Sequence, residues 1–260
     1  MKKILITNDD GFDSKGLKAL VKVLKPLAKI IVVAPATEKS ACGHSLTLTR
    51  PLKFVKLKKN FYKLDDATPT DCVFLSLNKL FNQKNKPDLV ISGINKGANM
   101  GEDITYSGTA SASMESVLQG IPSIAISQVC KKQCEDVEKL KYKLACDTIV
   151  KIVKKIFSGE FPLPPRKFLN INIPPIEIKK CKGIKITRAG KREYGNNAEV
   201  HYNPRGAEYY WIGLPNLEWK EENGGHITDF QAINQNFVSI TPVHLDMTSY
   251  KDIKSLENWI

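Results

Sequence analysis

Two adjacent carboxylates stand directly after the first apolar run of the sequence. The run KILIT (3–7) has the length and composition of a strand buried on both faces, and it leads into Asn8, Asp9, Asp10 and Gly11. Neighbouring carboxylates at the end of a buried strand repel each other unless a counter-charge is present. A helix cap would use only one of them, so the pair favours a divalent cation bound by Asp9 and Asp10.

Two further oxygen-bearing residues follow later apolar runs. Ser40 lies in the polar loop after the run 29–34, and Asn95 follows the run 87–92. Because ligands of open α/β sheets bind beyond the carboxyl ends of the strands, we expect both loops to converge on the acidic pair. Carboxylate, hydroxyl and amide oxygens suit Mg²⁺ or Mn²⁺ better than zinc, and four protein ligands leave positions for water and a phosphate oxygen.

The segment after Asn95 is a candidate phosphate site. Glycines space the stretch GINKGANMG (93–101), which allows backbone N–H groups to approach an anion, although it matches neither the Walker pattern nor GxGxxG. Ser107, Gly108 and Thr109 then open a predicted helix, whose N-terminal N–H groups and dipole favour phosphate. An ordinary helix cap is the alternative interpretation of Ser107.

The pattern of elements around these residues predicts an α/β fold. Strand-length apolar runs alternate with helical spacing over the first 130 residues, which is typical of βαβ units and a mostly parallel sheet. A proline-rich segment at 159–167 interrupts this pattern, and the strands predicted after it are separated by long irregular connections. Strands are predicted at 3–7, 29–34, 87–92, 121–127, 168–174, 182–188, 208–214 and 236–243, a hairpin at 52–64, and helices at 16–27, 68–81, 107–120 and 135–157.

Composition narrows the classes of partner. The net charge is +12, but only five of the 39 basic residues are arginine, so the lysine excess indicates solvated faces and a polymeric nucleic-acid partner is not expected. No apolar run approaches the roughly 20 residues of a spanning helix. The first run is too short for a signal peptide, and the six cysteines contain no CxxC pair, so we expect a cytoplasmic protein with free thiols and no membrane partner.

Taken together, the motifs resemble the survival protein E (SurE) family. The similarity runs nearly end to end and rests on TNDDG (7–11), Ser40 within APATEKS, TPTDCV (68–73), SGINKGANMGEDITYSGTASASMES (92–116), LNINIP (169–174), YYWIG (209–213) and VSITP (238–242). Two positions depart from the family pattern. Ala67 precedes TPTD where Gly is expected, and Ala110 follows YSGT where Val is usual; neither is a proposed ligand.

The resemblance implies a metal-dependent 5′/3′-nucleotidase with side activity on other phosphate esters and short polyphosphate. It implies metal ligands at Asp9, Asp10, Ser40 and Asn95, and it places Asn99 and Ser107 near the phosphate. It further implies a Rossmann-like three-layer core, at 1–158, and a β-rich extension at 159–260 within one integrated domain. A C-terminal arm exchanged between subunits would give homodimers or homotetramers.

The predicted reaction is hydrolysis of nucleoside 5′- and 3′-monophosphates by metal-activated water. Asp9, Asp10, Asn99 and Ser107 are its catalytic residues, and phosphate is bound by Asn99, Ser107, Gly108 and Thr109. The general base is unassigned, because His44 is expected to have a peripheral role. For Asp229 in TDFQA, capping a short helix is favoured over a place in the cleft.

Three alternatives compete with this prediction. A receiver-like Mg²⁺-binding signalling domain needs a phospho-accepting Asp at the end of a later strand, whereas PDLVIS (87–92) runs into Gly-Ile-Asn. A dehalogenase-type phosphatase needs an Asp two positions after its nucleophile, where this sequence has Gly11 and Phe12. A nucleotide-binding protein without catalytic activity stays open on motifs alone.

Overall fold

The computed structural model describes residues 1–81, 85–130, 141–159, 161–193, 198–212, 218–220 and 224–260. Strands β1 to β13 of this part are Lys3–Thr7, Lys29–Pro35, Phe54–Lys58, Phe61–Leu64, Leu89–Lys96, Ser123–Gln128, Lys167–Ile173, Ile184–Ile186, Arg192–Glu193, Ala198–Tyr202, Glu208–Ile212, Glu218–Trp219 and Val238–His244. Helices α1 to α6 are Lys15–Leu24, Pro69–Leu75, Gly108–Leu118, Lys143–Ser158, Asp229–Asn234 and Tyr250–Glu257.

Nine of these strands form one sheet in the order β3-β4-β2-β1-β5-β6-β7-β13-β8. The run from β4 to β7 is parallel throughout, while β3 pairs with β4 and β13 pairs with β7 in antiparallel orientation. The predicted α/β class with a mostly parallel sheet is therefore confirmed. The polar loops after β1, β2 and β5 emerge at one edge of the sheet, as this topology requires.

Helices cover both faces of the sheet, and the first strand shows why its sequence is apolar throughout. Ile4 and Ile6 pack in the cluster that includes the buried residues of α1 and α4. Leu5, between them, packs in the opposite cluster with residues of α2 and α3. Because successive side chains of a strand point to opposite faces, a strand covered on both sides must be apolar at every position.

Local signals account for where the helices begin. Ser14 caps α1, and Thr68 forms a capping box with Asp71 at the start of α2, where Pro69 occupies the first turn. The helix α3 is made mostly of small residues, and every position from Gly108 to Val117 is buried. Small side chains allow this helix to lie close to β5, β6 and β7, next to the polar loops.

Several element boundaries differ from the prediction. The helix predicted at 68–81 is α2 followed by a π-helical turn at Ser76–Leu80, and the strand predicted at 87–92 continues to Lys96. The helix predicted at 135–157 begins at Lys143 within the described residues, and 131–140 lie outside them. Strand β10 and helix α6 were not predicted, and both are exposed at every position.

The second part of the chain contributes to the main sheet as well as to peripheral elements. Strands β7, β8 and β13 lie beyond residue 158 and belong to the nine-stranded sheet. The predicted division of the chain into a core at 1–158 and an extension at 159–260 stays a prediction. The hairpin of β10 and β11 and the pair of β9 and β12 form separate two-stranded sheets. In the described ranges, no helix is long and apolar enough to span a membrane.

Four of the five cysteines in the described ranges are free thiols, as expected, and Cys134 lies outside those ranges. Cys42, Cys72, Cys146 and Cys181 are free. Cys130 is disulfide-bonded, so the expectation is wrong for that residue.

Candidate active site

The acidic pair lies in a tight turn between β1 and α1. The Asn8 amide donates to the Gly11 carbonyl at 2.9 Å and to Ser14 Oγ at 2.8 Å, which joins the turn to the helix cap. Asp9 is almost completely buried, with 4% exposure, and Asp10 is half-buried. The turn thus presents two carboxylates at the sheet edge and withdraws both from most of the solvent.

Asp9 lies against the N-terminus of α3. The Thr109 N–H donates to Asp9 Oδ2 at 3.0 Å, and the Thr109 hydroxyl donates to Oδ1. Gly108 makes this approach feasible, since a Cβ there would lie 2.9 Å from Asp9 Cβ. The positive end of the helix dipole stabilises the carboxylate. Both donors of Thr109, a predicted phosphate-binding residue, are directed to Asp9 in this structure.

The two carboxylates have raised pKa values. Burial raises the pKa of Asp10 to about 7, and the adjacent charge of Asp9 adds to the shift. Burial also raises the pKa of Asp9, although the hydrogen bonds from Thr109 oppose it. The charge of Glu38 contributes to both shifts, so a third carboxylate that sequence reasoning missed lies near the pair. A nearby positive charge would favour the ionised form of both carboxylates.

The loop after β2 brings Ser40 towards the pair. The Lys39 N–H donates to the Asp9 carbonyl at 2.7 Å, which fixes the backbone of this loop beside the acidic turn. Ser40 itself is exposed and its hydroxyl donates to Glu38 Oε1 at 2.7 Å. A hydroxyl oxygen that donates its proton in this way keeps its lone pairs for another ligand.

Asn95 lies near the end of β5, beside the residue that contacts Asp10. The Lys96 N–H donates to Asp10 Oδ2 at 3.1 Å, and the Asn95 amide donates to the Gly97 carbonyl at 3.2 Å. Its amide oxygen takes no part in that bond. The backbone reaches this position through Gly93, which has a φ of 133° and where a Cβ would lie 2.2 Å from the Ile126 carbonyl oxygen.

Asn99 is held by four hydrogen bonds from two neighbouring strands. Its N–H donates to Asn172 Oδ1 at 3.0 Å, and its carbonyl accepts from Asn170 and Asn172 at 2.8 and 2.9 Å. Its side-chain amide donates to Ser127 Oγ at 2.7 Å. Sequence reasoning missed these three supporting residues. The alternation in LNINIP (169–174) was the available signal, because residues two apart in a strand face the same side.

Ser107 caps α3, as the simpler interpretation of its position predicted. The Ala110 N–H donates to Ser107 Oγ at 3.0 Å, and Ser107 is 5% exposed. In this bond the hydroxyl is the acceptor, so its own proton stays available for a phosphate oxygen. Capping and phosphate binding are therefore compatible roles for the same side chain.

His44 and Asp229 both lie outside the acidic cluster. His44 Nε2 lies 3.1 Å from Glu115 Oε2 and joins the loop after β2 to α3. Asp229 is fully buried and accepts from the Gly101 N–H at 2.7 Å and the Gly190 N–H at 3.0 Å. The cap of α5 is Thr228, so Asp229 has a different role from the predicted cap. It ties Gly101, at the end of the loop 97–101 that contains Asn99 (the Asn99 loop), to the part of the chain beyond residue 158.

The donor set fits a hard divalent cation. Among the described residues, no group of three or more His, Cys, Asp or Glu side chains could hold a metal ion. A cation at the pair would therefore need neutral oxygens, and Ser40 and Asn95 occupy the two loops that adjoin Asp9 and Asp10. Oxygen donors with two carboxylates are the ligands that Mg²⁺ and Mn²⁺ prefer.

Comparison with known proteins shows the family of this chain. The family model described as Survival protein SurE matches residues 4–196, a range that contains the acidic turn, the Ser40 loop, the Asn99 loop and β7. This chain belongs to the SurE family.

Close relatives span the whole chain. A protein from Sulfurovum sp. (strain NBC37-1) named 5′-nucleotidase SurE is 66% identical, over 100% of this chain and 98% of the relative. One of the same name from Aliarcobacter butzleri (strain RM4018) is 62% identical, over 100% and 99%. The crystal structure of the SurE protein from Aquifex aeolicus superimposes with a TM-score of 0.83 at 43% identity and covers 99% of each chain.

Proposed function

We propose that this protein is a metal-dependent nucleotidase that hydrolyses nucleoside 5′- and 3′-monophosphates. The observation that carries the proposal is the acidic pair Asp9 and Asp10, whose ionised form a bound cation would stabilise and which lies at a helix N-terminus. The relatives named 5′-nucleotidase SurE support nucleotide chemistry at this site.

The cation would be held by the two carboxylates together with Ser40 and Asn95. When bound, Mg²⁺ or Mn²⁺ would supply Lewis-acid chemistry, which polarises a phosphoryl oxygen and lowers the pKa of water so that hydroxide is available to attack phosphorus. Asp9 and Asp10 have lone pairs left to bind a cation. Each carboxylate offers about four, and the hydrogen bonds described above use only some of them. Glu38 adds negative charge that favours cation binding.

The phosphate would be bound by Asn99, Ser107 and the Gly108 N–H. The Ser127 bond uses one of the two N–H groups of the Asn99 amide, and the other can donate to a phosphate oxygen. The Ser107 hydroxyl can donate as well, and the Gly108 N–H at the start of α3 lies at the positive end of the helix dipole, which favours an anion. Because the surrounding bonds hold these donors in place, they stabilise the charge that develops on the phosphoryl oxygens without reorganising.

These groups recognise phosphate oxygens, so we extend the proposal to other phosphate esters and short polyphosphate as weaker substrates. A base that accepts the proton of water stays unassigned. Thr109, with both donors directed to Asp9, contributes by orienting that carboxylate.

Phosphate release tests the proposal. The purified protein is incubated with a panel of nucleoside 5′- and 3′-monophosphates, first after chelation and then with Mg²⁺ or Mn²⁺ restored. We expect no release without metal and recovery on addition. Full activity in the chelated protein would contradict metal dependence, and binding of nucleotide without release would indicate a non-catalytic nucleotide-binding protein.

A further inference from the structure

A cavity of about 240 Å³ lies at the carboxyl ends of β6 and β7, on the sheet edge that carries the acidic pair. Residues that follow these two strands form one side, and helix α5 with Trp219 of β12 forms the other. The lining includes Met100, Val129, Pro175, Trp219, Phe230 and Ile233. None of the catalytic assignments above uses this cavity.

The cavity contains an aromatic pair in stacking geometry. The rings of Trp219 and Phe230 lie 4.7 Å apart at an interplanar angle of 12°. Phe230 is fully buried and packs between Gly101 and Gly190, so the inner ring of the pair has a fixed position. A flat heterocycle can join such a stack with little loss of conformational freedom, since the protein rings are already ordered.

The chemistry of the lining favours a neutral ligand with a hydrogen-bonding edge. Among the described lining residues none is charged, and the polar side chains are the amides of Asn234 and Asn236 at the end of α5. Amides can both donate and accept, which suits a heterocycle and not a phosphate. The volume is below the roughly 300–1,000 Å³ of sites for drug-sized ligands, so it suits one ring system and not a whole nucleotide.

The cavity is connected to the phosphate site through one residue. Met100 lines the cavity and directly follows Asn99, whose amide is proposed to bind phosphate. Strands β1, β5, β6 and β7 are consecutive in the sheet, so the end of β1 and the cavity are separated by roughly 10–15 Å at the usual strand spacing. The sugar of a nucleotide can bridge much of this separation when the phosphate lies between the two.

We propose that this cavity binds the nucleobase of the nucleoside monophosphate, with Trp219 as its stacking residue. The inference rests on the proposed function, and it adds a specificity-determining site that is separate from the metal ligands. Base stacking on an aromatic ring is tolerant of sequence, so all bases would bind. Asn234 at the rim, which is exposed, would adjust the preference among them.

The test compares two substrates that differ only in the base. The specificity constant kcat/KM is measured for adenosine 5′-monophosphate and for ribose 5-phosphate with the wild type and with Trp219→Ala. We expect the variant to lose at least about fivefold for the nucleotide, the smallest effect typical of a lost base stack, and to stay within about twofold for the sugar phosphate. Trp211→Ala, an exposed residue of the β11 hairpin, is the matched control and should leave the ratio of the two constants unchanged.

Two further measurements keep the inference testable if Trp219→Ala folds poorly. Asn234→Ala alters an exposed residue and should change the ratio of kcat/KM between purine and pyrimidine nucleotides. In a protein carrying Trp211→Phe and Trp259→Phe, adenosine should quench the remaining tryptophan fluorescence, and inorganic phosphate should not.

The outcomes separate this inference from the proposed function. If the wild type releases phosphate but Trp219→Ala lowers both specificity constants equally or neither, the base site is wrong and the nucleotidase stands. If the wild type hydrolyses no nucleotide, the proposed function fails. The adenosine titration still tests whether the cavity binds a nucleobase, and an absence of quenching would contradict that proposal.

Discussion

At the scale of single residues, Asp9 and Asp10 are neighbours in the chain but have different surroundings. Both oxygens of Asp9 accept hydrogen bonds from Thr109, whereas Asp10 accepts from the Lys96 N–H and is more exposed. Asp9 is therefore the more rigidly oriented carboxylate. Asp10 receives fewer hydrogen bonds, and burial together with the charge of Asp9 raises its pKa.

Asp10→Asn should stabilise the metal-free protein in a pH-dependent way. The pKa of Asp10 is raised to about 7 by burial and by the charge of Asp9. The folded state therefore binds the proton more tightly than the unfolded state does. As pH rises from the unfolded pKa through the folded pKa, this contribution to stability is lost.

We accordingly expect the melting temperature of Asp10→Asn to exceed that of the wild type at pH 8 and to approach it near pH 4, close to the unfolded pKa. The gain corresponds to about 1–3 kcal/mol. Thermal unfolding in the presence of chelator measures it, and the same variant should lose metal-dependent hydrolysis. An equal shift at both pH values would mean that ionisation of Asp10 is not its cause.

Ser107→Ala and Asn95→Ala separate phosphate binding from metal binding. Loss of the Ser107 hydroxyl removes a charge-assisted hydrogen bond of about 1.5–3 kcal/mol, or roughly ten- to a hundredfold in kcat/KM, with metal affinity nearly unchanged. Asn95→Ala should weaken metal binding and recover part of its activity at high Mn²⁺. Metal titration and kinetics on both variants decide the assignment. If Ser107→Ala loses only about 1 kcal/mol of stability and keeps its kinetics, the residue is a cap alone.

At the scale of elements, the Asn99 loop is shaped by its partners rather than by its own sequence. Strand β7 holds the Asn99 backbone, β6 holds its side chain, and Asp229 at the start of α5 holds the Gly101 N–H. These bonds fix both ends of the segment that presents the proposed phosphate ligand. Helix α5 thus supports the site although it contributes no group to the acidic cluster.

Asp229→Asn should loosen this loop. The amide nitrogen that replaces one oxygen cannot accept from the Gly101 or Gly190 N–H, so we expect a loss of about 1–3 kcal/mol in stability. The specificity constant kcat/KM should fall roughly tenfold, a change of about 1.4 kcal/mol, because Asn99 is misplaced. Inorganic phosphate should become a weaker competitive inhibitor, with metal affinity preserved.

Gln231→Ala provides the matched control for that experiment. Gln231 belongs to the capping box of the same helix but does not contact the loop, so its removal should lower stability without the kinetic change. If the two variants lose the same kcat/KM for the same loss of stability, Asp229 has no positioning role.

At the scale of the whole molecule, two elements are exposed at every position that the structure describes. The hairpin of β10 and β11 is exposed along its entire length, including Trp211 at 67% and Ile212 at 87%. An isolated two-stranded hairpin is marginally stable in water. Helix α6 is also exposed at every position. Both elements support the proposal of a homodimer or homotetramer.

Substituting Tyr210 and Trp211 together by Ser should reduce the assembled mass. These aromatic residues are of the kind enriched at interface centres, and both are exposed here. Light scattering at micromolar concentration should give a multiple of 29.1 kDa for the wild type and a smaller value for the variant. A monomeric wild type would contradict the proposed assembly. An unchanged mass in the variant would mean that the subunit interface is formed by another surface, such as α6.

The sequence by itself determined the elements of the core and the position of the acidic pair. Apolar runs, helical spacing and capping residues are local signals, so strand β1 and the starts of α1 to α3 could be predicted from them. The boundaries that failed lie where local signals are weak, as in the extension of β5 to Lys96. Strand β10 and helix α6 were also not predicted, and both are exposed at every position.

The tertiary structure alone decided how the site is assembled. Thr109 bonds to Asp9 across 100 positions and Gly101 bonds to Asp229 across 128, and no local pattern specifies such pairs. The direction of Thr109 towards Asp9, the support of Asn99 by Asn170 and Asn172, and the stack of Trp219 on Phe230 all depend on the register and packing of distant segments. The preference of the local sequence for helix, strand or turn places each residue on an element. Contact between elements determines what that residue can bind.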